Sequence, residues 1–373
     1  MRVPGKPRRI ELDFVRGCGI LLVMMDHFRV PNTGVWVLDG FRGFILFVGE
    51  QSMTVFFVLS GFLVGGLLMK EYRDTHRVHA GRFLLRRMFK IWPSYYVLLL
   101  VHLAIRRHPW QTFLWQNALN VQNYFGSSIL QTWSLAVEEH FYLMLPLLML
   151  FIASRRWSAR SMLLLFWGIN AAAFLWRFYA VRRLGHYANF HQTQYNIDSI
   201  LLGVILAVLF YFLPEVYAKL SRRAWPLILI VAAGEFLTAM PSGIWAEPFL
   251  HVIGYFTCGA ILLLAVEHSG RMTRTWPYRA VATAGIYSYG IYLYHSVMLT
   301  VGDRIIARSP PVAAYFVGWA AQMSGALVLG YAMTRIVEWP FLLWRERIPT
   351  LRDREPLMLP VNEGDADGIV QTV

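Results

Sequence analysis

Three titratable residues, His27, Glu138 and Glu139, lie inside apolar segments of the sequence, where charge is costly and usually functional. A histidine can accept a proton near neutral pH, and a neighbouring carboxylate can orient its ring and stabilise the imidazolium. Counting the helical rise from the segment ends places His27 and Glu138 at similar depth, with Asp198 in the same layer. The pattern predicts acid–base catalysis with His27 as the base and Glu138 or Glu139 as its partner. A polar network that only holds helices together is the alternative.

A second group of residues is basic. Arg16 precedes His27 by eleven positions, so both lie on one helix face, about 16 Å apart. Arg86, Arg87 and Lys90 fall in a basic run before another apolar segment. Such a cluster suits a phosphorylated ligand at the cytoplasmic side. Inward-facing loops and acidic lipid head groups give the same pattern, and an arginine near a helix end can simply extend to the interface.

The elements that must position these residues are apolar helices. Of the 373 residues, 57% are hydrophobic and 15% are charged, and the mean hydropathy is +0.44. A soluble globular domain is excluded, since about 25% of its residues would be charged. The pattern predicts an all-α, polytopic membrane protein with about ten transmembrane helices. The approximate spans are 11–29, 46–69, 92–105, 132–153, 161–180, 196–213, 225–240, 249–267, 284–303 and 312–335.

The net charge of +13 records membrane topology rather than nucleic-acid binding. With the N-terminus inside, 24 of the 35 Lys and Arg residues fall on the cytoplasmic side. We therefore expect both termini in the cytoplasm and the protein in the cytoplasmic membrane, in contact with its lipids. Residues 1–345 are expected to form one membrane domain, followed by a short, disordered cytoplasmic tail at 346–373.

Several other chemistries lack their motifs in this sequence. There is no G-x-S-x-G elbow, no phosphate-binding P-loop and no H-x-x-x-x-D box. No Cys/His cluster has zinc spacing, and Cys18 and Cys258 both fall in apolar segments, so no metal is expected. Ser60 has no neighbouring base in sequence. The glycines that follow it, Gly61, Gly65 and Gly66, predict a close helix contact instead.

Taken together, these segments resemble acyltransferase family 3, the integral-membrane O-acyltransferases, over essentially the whole chain. The resemblance is most specific in the pair Arg16 and His27, which matches the family's basic residue, ten intervening residues and His. Further matches follow in the family's order. They are FFVLSGF at 56–62, the basic run at 86–93, TWSLAVEEHFYLMLP at 132–146, Asp198 with Gly203, SYGIYLYH at 288–295, and Glu338 before Pro340.

The resemblance implies a donor and an acceptor. The donor is an acyl-CoA, usually acetyl-CoA, which approaches from the cytoplasm, with Arg16, Arg86, Arg87 and Lys90 as candidates to hold its phosphates. The acceptor is a hydroxyl group of a cell-surface glycan, a lipid or a small metabolite. Many members carry an added extracytoplasmic domain. Since no such domain is evident in this sequence, we expect a stand-alone member.

Two other functional classes remain open at this point. A proton-coupled transporter or exporter would use the buried histidine and carboxylates as a relay, although no inverted repeat is evident. A non-catalytic membrane scaffold would tolerate changes at Arg16 and His27. Consumption of acyl-CoA separates the enzyme from both.

Overall fold

The computed structural model describes residues 9–105, 110–126, 129–184, 191–240 and 246–351. Within these ranges the chain forms helices joined by short connections and contains no β-strand. The predicted all-α class is therefore confirmed. Residues 352–373, most of the predicted tail, lie outside the described ranges.

Eighteen α-helices are described. They are α1 (Ile10–His27), α2 (Trp36–Glu50), α3 (Ser52–Ser60), α4 (Gly66–Thr75), α5 (Ala80–Ile105), α6 (Trp110–Ala118), α7 (Gln122–Phe125), α8 (Trp133–Ser154), α9 (Ala159–Leu184), α10 (Ile197–Phe212), α11 (Pro214–Ser221), α12 (Ala224–Ala239), α13 (Glu247–His268), α14 (Trp276–Ile286), α15 (Ser288–Tyr294), α16 (Leu299–Ile306), α17 (Pro311–Met333) and α18 (Trp339–Arg347). Two π-helical turns, Gly61–Gly65 and Thr334–Glu338, join α3 to α4 and α17 to α18.

Among the described residues, five helices are long and apolar enough to cross a membrane, or six if the bent pair α10 and α11 counts as one span. The five are Trp36–Thr75, Trp133–Ser154, Ala159–Arg183, Glu247–His268 and Pro311–Arg347. The protein is thus a helical, multi-pass membrane protein, while the count of ten stays a prediction. The predicted span 284–303 is not one straight helix, because it breaks between α14 and α15 and again at a 3₁₀ turn, His295–Met298.

Helix α1 packs against α14 with almost no side chain between the two backbones. A Cβ atom added at Gly17 would lie 2.0 Å from the carbonyl oxygen of Val281, and one at Gly285 would lie 1.8 Å from that of Asp13. Small residues that allow such close approach are typical of helix contacts within membranes. The contact fixes α1, and with it Arg16 and His27.

The predicted close contact after Ser60 is present as well. A Cβ at Gly61 would lie 1.8 Å from the carbonyl oxygen of Ile200, and one at Gly203 would lie 2.0 Å from that of Val58. The chain between α3 and α4 therefore lies directly on α10. This leaves Ser60 facing another direction, toward α8.

Helix α15 is held against α5 by two tyrosine hydroxyl groups. Tyr289 donates to the carbonyl oxygen of Ile91 at 2.7 Å, and Tyr294 donates to that of Ser94 at 2.9 Å. These bonds place the end of α15, where His295 lies, at a fixed position relative to the basic residues of α5.

Candidate active site

The end of α1 meets the end of α15 in a pair of histidines. Nδ1 of His27 lies 2.9 Å from Nε2 of His295, and the two rings stack with centroids 5.1 Å apart. His295 is only 1% exposed. Its Nδ1 lies 2.7 Å from the carbonyl oxygen of Tyr292, the last-turn neighbour on α15.

This geometry assigns the protons on the two neutral rings. A carbonyl oxygen can only accept, so Nδ1 of His295 donates to Tyr292 and its Nε2 keeps a lone pair. That lone pair accepts a hydrogen bond from Nδ1 of His27. The remaining nitrogen of His27, Nε2, therefore carries a lone pair that can take a proton.

Asp26 is the nearest carboxylate to that nitrogen in the described chain. Its Oδ2 lies 3.8 Å from Nε2 of His27, which is too long for a direct hydrogen bond. At that distance an ionised carboxylate would still stabilise an imidazolium formed at His27.

A second part of the site is a cavity of about 150 Å³ deeper in the bundle. Its lining includes Arg16, Arg87, Lys90 and Glu138, and we call it the Arg16 cavity. Helices α1, α5 and α8 contribute these four side chains. The charged residues among them are thus three cations and one carboxylate.

Each charged group of the Arg16 cavity has a structural contact. Arg16 donates to Asp13 at 3.1 Å, and Lys90 pairs with the buried Glu338. The guanidinium of Arg87 lies 5.6 Å from the centre of the Tyr142 ring. Such contacts hold the three cations in place beside the cavity.

Tyr142 links Glu138 to Ser60. Its hydroxyl donates to Glu138 Oε2 at 3.0 Å and lies 2.7 Å from the Ser60 hydroxyl, which therefore donates to it. Ser60 also lines the cavity. This hydrogen-bonded chain was not predictable from the sequence, because Ser60 on α3 and Tyr142 on α8 meet only through the packing of the two helices.

The predicted partnership between His27 and a glutamate is not the contact that the structure shows. Glu138 faces the Arg16 cavity, and Glu139 accepts a hydrogen bond from the indole of Trp92 at 3.3 Å. The ring of His27 instead contacts His295 and Asp26.

The depth of α8 explains this difference. The hydroxyl of Tyr292 bonds to Ser134 at 2.7 Å, while its carbonyl group accepts from His295. Tyr292 thus connects Ser134, in the first turn of α8, to the histidine pair. Glu138, four residues further along α8, is about 6 Å deeper.

The four predicted anion-binding residues do not all point into the same cavity. Arg16, Arg87 and Lys90 line the cavity together. Arg86 points elsewhere and donates to the carbonyl oxygen of Leu351 at 2.7 Å. Neighbouring positions on a helix differ by about 100°, so Arg86 and Arg87 cannot face the same space.

Asp198 belongs to a polar cluster that is separate from the contacts of His27. Its carboxylate accepts from Arg177 at 2.9 and 3.0 Å and lies 3.3 Å from Nε2 of His251. Arg177 and Asp198 are both almost fully buried. Across the described residues, no group of three or more His, Cys, Asp or Glu side chains is placed to hold a metal ion.

A family comparison agrees with this architecture. Residues 9–335 match the family of acyltransferase domains, and since this is most of the chain, the protein belongs to that family. The resemblance expected from the sequence motifs is confirmed. The fold and this membership together define a multi-pass membrane protein of the acyltransferase-domain family.

Individual relatives are distant. The chain is 25% identical over 360 residues to a protein of Staphylococcus aureus strain COL named "Putative O-acetyltransferase", and 22% identical to the peptidoglycan O-acetyltransferase OatA of Listeria monocytogenes. Each match covers 88% of this chain, which spans 56% and 55% of those relatives. A membrane-bound transacylase of Komagataeibacter xylinus, BcsY, named as putative, is 25% identical over 87% of this chain and 79% of its own. No solved structure matches significantly.

Proposed function

We propose that the protein is a membrane O-acyltransferase that moves an acetyl group from acetyl-CoA to a hydroxyl group of a cell-surface acceptor. The observation that carries this proposal is the position of His27, whose hydrogen bond to His295 leaves a lone pair on Nε2. The same helix, α1, carries His27 at its end and brings Arg16 to the Arg16 cavity. The family membership supports acyl transfer, and the names of the relatives support a glycan acceptor.

The donor substrate fits the chemistry of the Arg16 cavity. Arg16, Arg87 and Lys90 can hold anionic oxygen atoms, and a guanidinium can bind two at once. At about 150 Å³ the cavity is smaller than the roughly 300–1,000 Å³ of sites that enclose a whole ligand. It would therefore hold one part of acyl-CoA, while the pantetheine arm follows the shared face of α1 toward His27.

The chemical step uses the free nitrogen of His27. Nε2 takes the proton of the acceptor hydroxyl as its oxygen attacks the carbonyl carbon of the thioester. The carbon–sulfur bond then breaks, and the coenzyme A sulfur leaves with that proton. Asp26 stabilises the positive ring between these events. The same nitrogen would be the nucleophile if the acetyl group were first carried on His27.

The direction of transfer rests on the charge asymmetry of the loops. With 24 of 35 basic residues on one side, both termini and the entrance to the Arg16 cavity are cytoplasmic. His27, at the other end of α1, is then near the outer face of the cytoplasmic membrane. The complete ten-helix topology is part of this proposal.

Purified protein in liposomes tests this function. We expect radiolabelled acetyl-CoA to yield alkali-labile acetyl esters on soluble peptidoglycan fragments or other glycans, with release of free coenzyme A. Transport of a solute without consumption of acetyl-CoA would contradict the proposal and favour the transporter class.

A further inference from the structure

A second polar cavity, of about 420 Å³, lies beside the Asp198 cluster. Its lining includes Gln51, Arg177, Glu247 and His251, and we call it the Arg177 cavity. It lies at the His27 end of the bundle, because Gly49, two residues before Gln51, packs directly against Asp26. Gly49 thus contacts Asp26, while Gln51 lines the cavity.

The cavity contains buried polar atoms without protein partners. Arg177 is 1% exposed and uses Nη2 for Asp198 and for the carbonyl group of Tyr195, whereas its Nε and Nη1 have no hydrogen-bond partner. Gln51 donates from Nε2 to Thr238 at 2.9 Å, but its Oε1 has no partner. Each such atom is destabilising while it remains unpaired. A ligand that relieves this must both accept from Arg177 and donate to Gln51.

A hydroxyl group does both, since it has one donor and two lone pairs. An anion is less suitable, because Asp198 already offsets the charge of Arg177 and Glu247 also faces the cavity. The volume falls within the roughly 300–1,000 Å³ of small-molecule sites. These features describe a site for a neutral molecule rich in hydroxyl groups.

We propose that the Arg177 cavity binds a neutral sugar unit of the acyl acceptor. The identification of this sugar as the acceptor rests on the proposed function, whereas its binding does not. The acceptor is thus held beside α2 and α3 at the end of the bundle where His27 presents Nε2. This adds a binding site for the acceptor, and a neutral sugar as the unit that the site holds.

Two glycine substitutions form a matched pair for the test. A Cβ at Gly254 would lie 3.4 Å from Gln51 Oε1, so the side chain of Gly254→Leu extends into the cavity. Gly168, on α9, has open space around the same position, and Gly168→Leu is the control. A third variant, Arg177→Lys, keeps a charge for Asp198 but removes the unpaired N–H groups of the guanidinium.

Equilibrium dialysis of the full chain in detergent measures binding with three labelled probes. The neutral trisaccharides are maltotriose and triacetylchitotriose, and trigalacturonate is the anionic one. We expect saturable binding of a neutral trisaccharide that is tighter than that of trigalacturonate. Binding should weaken about tenfold or more in Gly254→Leu and Arg177→Lys, as loss of about 1.4 kcal/mol implies, and should be unchanged in Gly168→Leu.

Three results would overturn the site. The first is no saturable binding of either neutral probe, which would leave water as the only occupant. The second is tighter binding of trigalacturonate than of the neutral probes, and the third is full affinity in Gly254→Leu. Failure of the proposed function looks different. Sugar binding without any acetyl transfer would reject the enzyme and keep the site, whereas acetyl transfer with an unchanged acceptor KM in Gly254→Leu would reject the site and keep the enzyme.

Discussion

His27 and His295, separated by 268 positions in the sequence, form a hydrogen bond of 2.9 Å between Nδ1 and Nε2. The bond to the carbonyl group of Tyr292 fixes the direction of this interaction, because it makes His295 an acceptor at Nε2. His295 is therefore a positioning residue. Its contribution is to keep the lone pair of His27 on the nitrogen that faces away from it.

Replacement of His295 should reduce turnover without weakening substrate binding. In His295→Leu the ring of His27 loses the acceptor for Nδ1–H and can adopt the unproductive tautomer. We expect kcat to fall roughly a hundredfold, within the range for loss of a positioned base, with KM for the acceptor unchanged. Steady-state kinetics in liposomes measure both constants.

A conservative variant separates positioning from structural support. The amide oxygen of His295→Gln can accept from Nδ1 of His27 and should restore most of the lost kcat. Equal losses of kcat in the Leu and Gln variants, at equal thermal stability, would contradict the positioning role.

Arg87 and Arg86 should differ sharply in their effect on the donor. Arg87 lines the Arg16 cavity, whereas Arg86 donates to the carbonyl group of Leu351. Loss of one charge-assisted hydrogen bond, about 1.5–3 kcal/mol, should raise KM for acetyl-CoA roughly ten- to a hundredfold in Arg87→Gln. Arg86→Gln should leave this KM nearly unchanged.

Initial rates over a range of acetyl-CoA concentrations compare the two arginine variants. Arg155→Gln, an exposed position at the end of α8, serves as the control for general loss of positive charge. Similar increases in KM for Arg86→Gln and Arg87→Gln would indicate that the donor binds outside the cavity.

Gly285 should be essential for the packing that positions α1. A methyl group in Gly285→Ala would overlap the carbonyl oxygen of Asp13, and such overpacking costs about 1–3 kcal/mol. We expect a lower midpoint of thermal unfolding in detergent. Gly168→Ala, in open space on α9, is the matched control and should not lower it. An unchanged midpoint for Gly285→Ala would argue against the close contact of α1 with α14.

Features that depend on a single helix were predictable from the sequence. Arg16 and His27 fall on α1 as their spacing indicated, and the apolar segments form helices because their backbone groups must be satisfied within the segment. Contacts between helices were not predictable in the same way. The pairing of His27 with His295 depends on how α15 ends in a 3₁₀ turn, and apolar periodicity does not reveal such a break.

The positions of the acidic residues show the same limit. Depth counted along α8 suggested that Glu138 would reach His27, but the level of a helix relative to its neighbours is set by packing. Tyr292 fixes that level by bonding to Ser134 at one end and His295 at the other. The run SYGIYLYH, which contains Tyr292 and ends at His295, was the available signal.

The role of His27 is tested most directly by acetyl transfer in liposomes, with His27→Ala compared with the unaltered protein at equal amounts of folded protein. We expect kcat to fall by about 10²- to 10⁴-fold, while acetyl-CoA still binds through the Arg16 cavity. A His27→Ala protein that folds and retains full turnover would contradict proton transfer by Nε2 of His27.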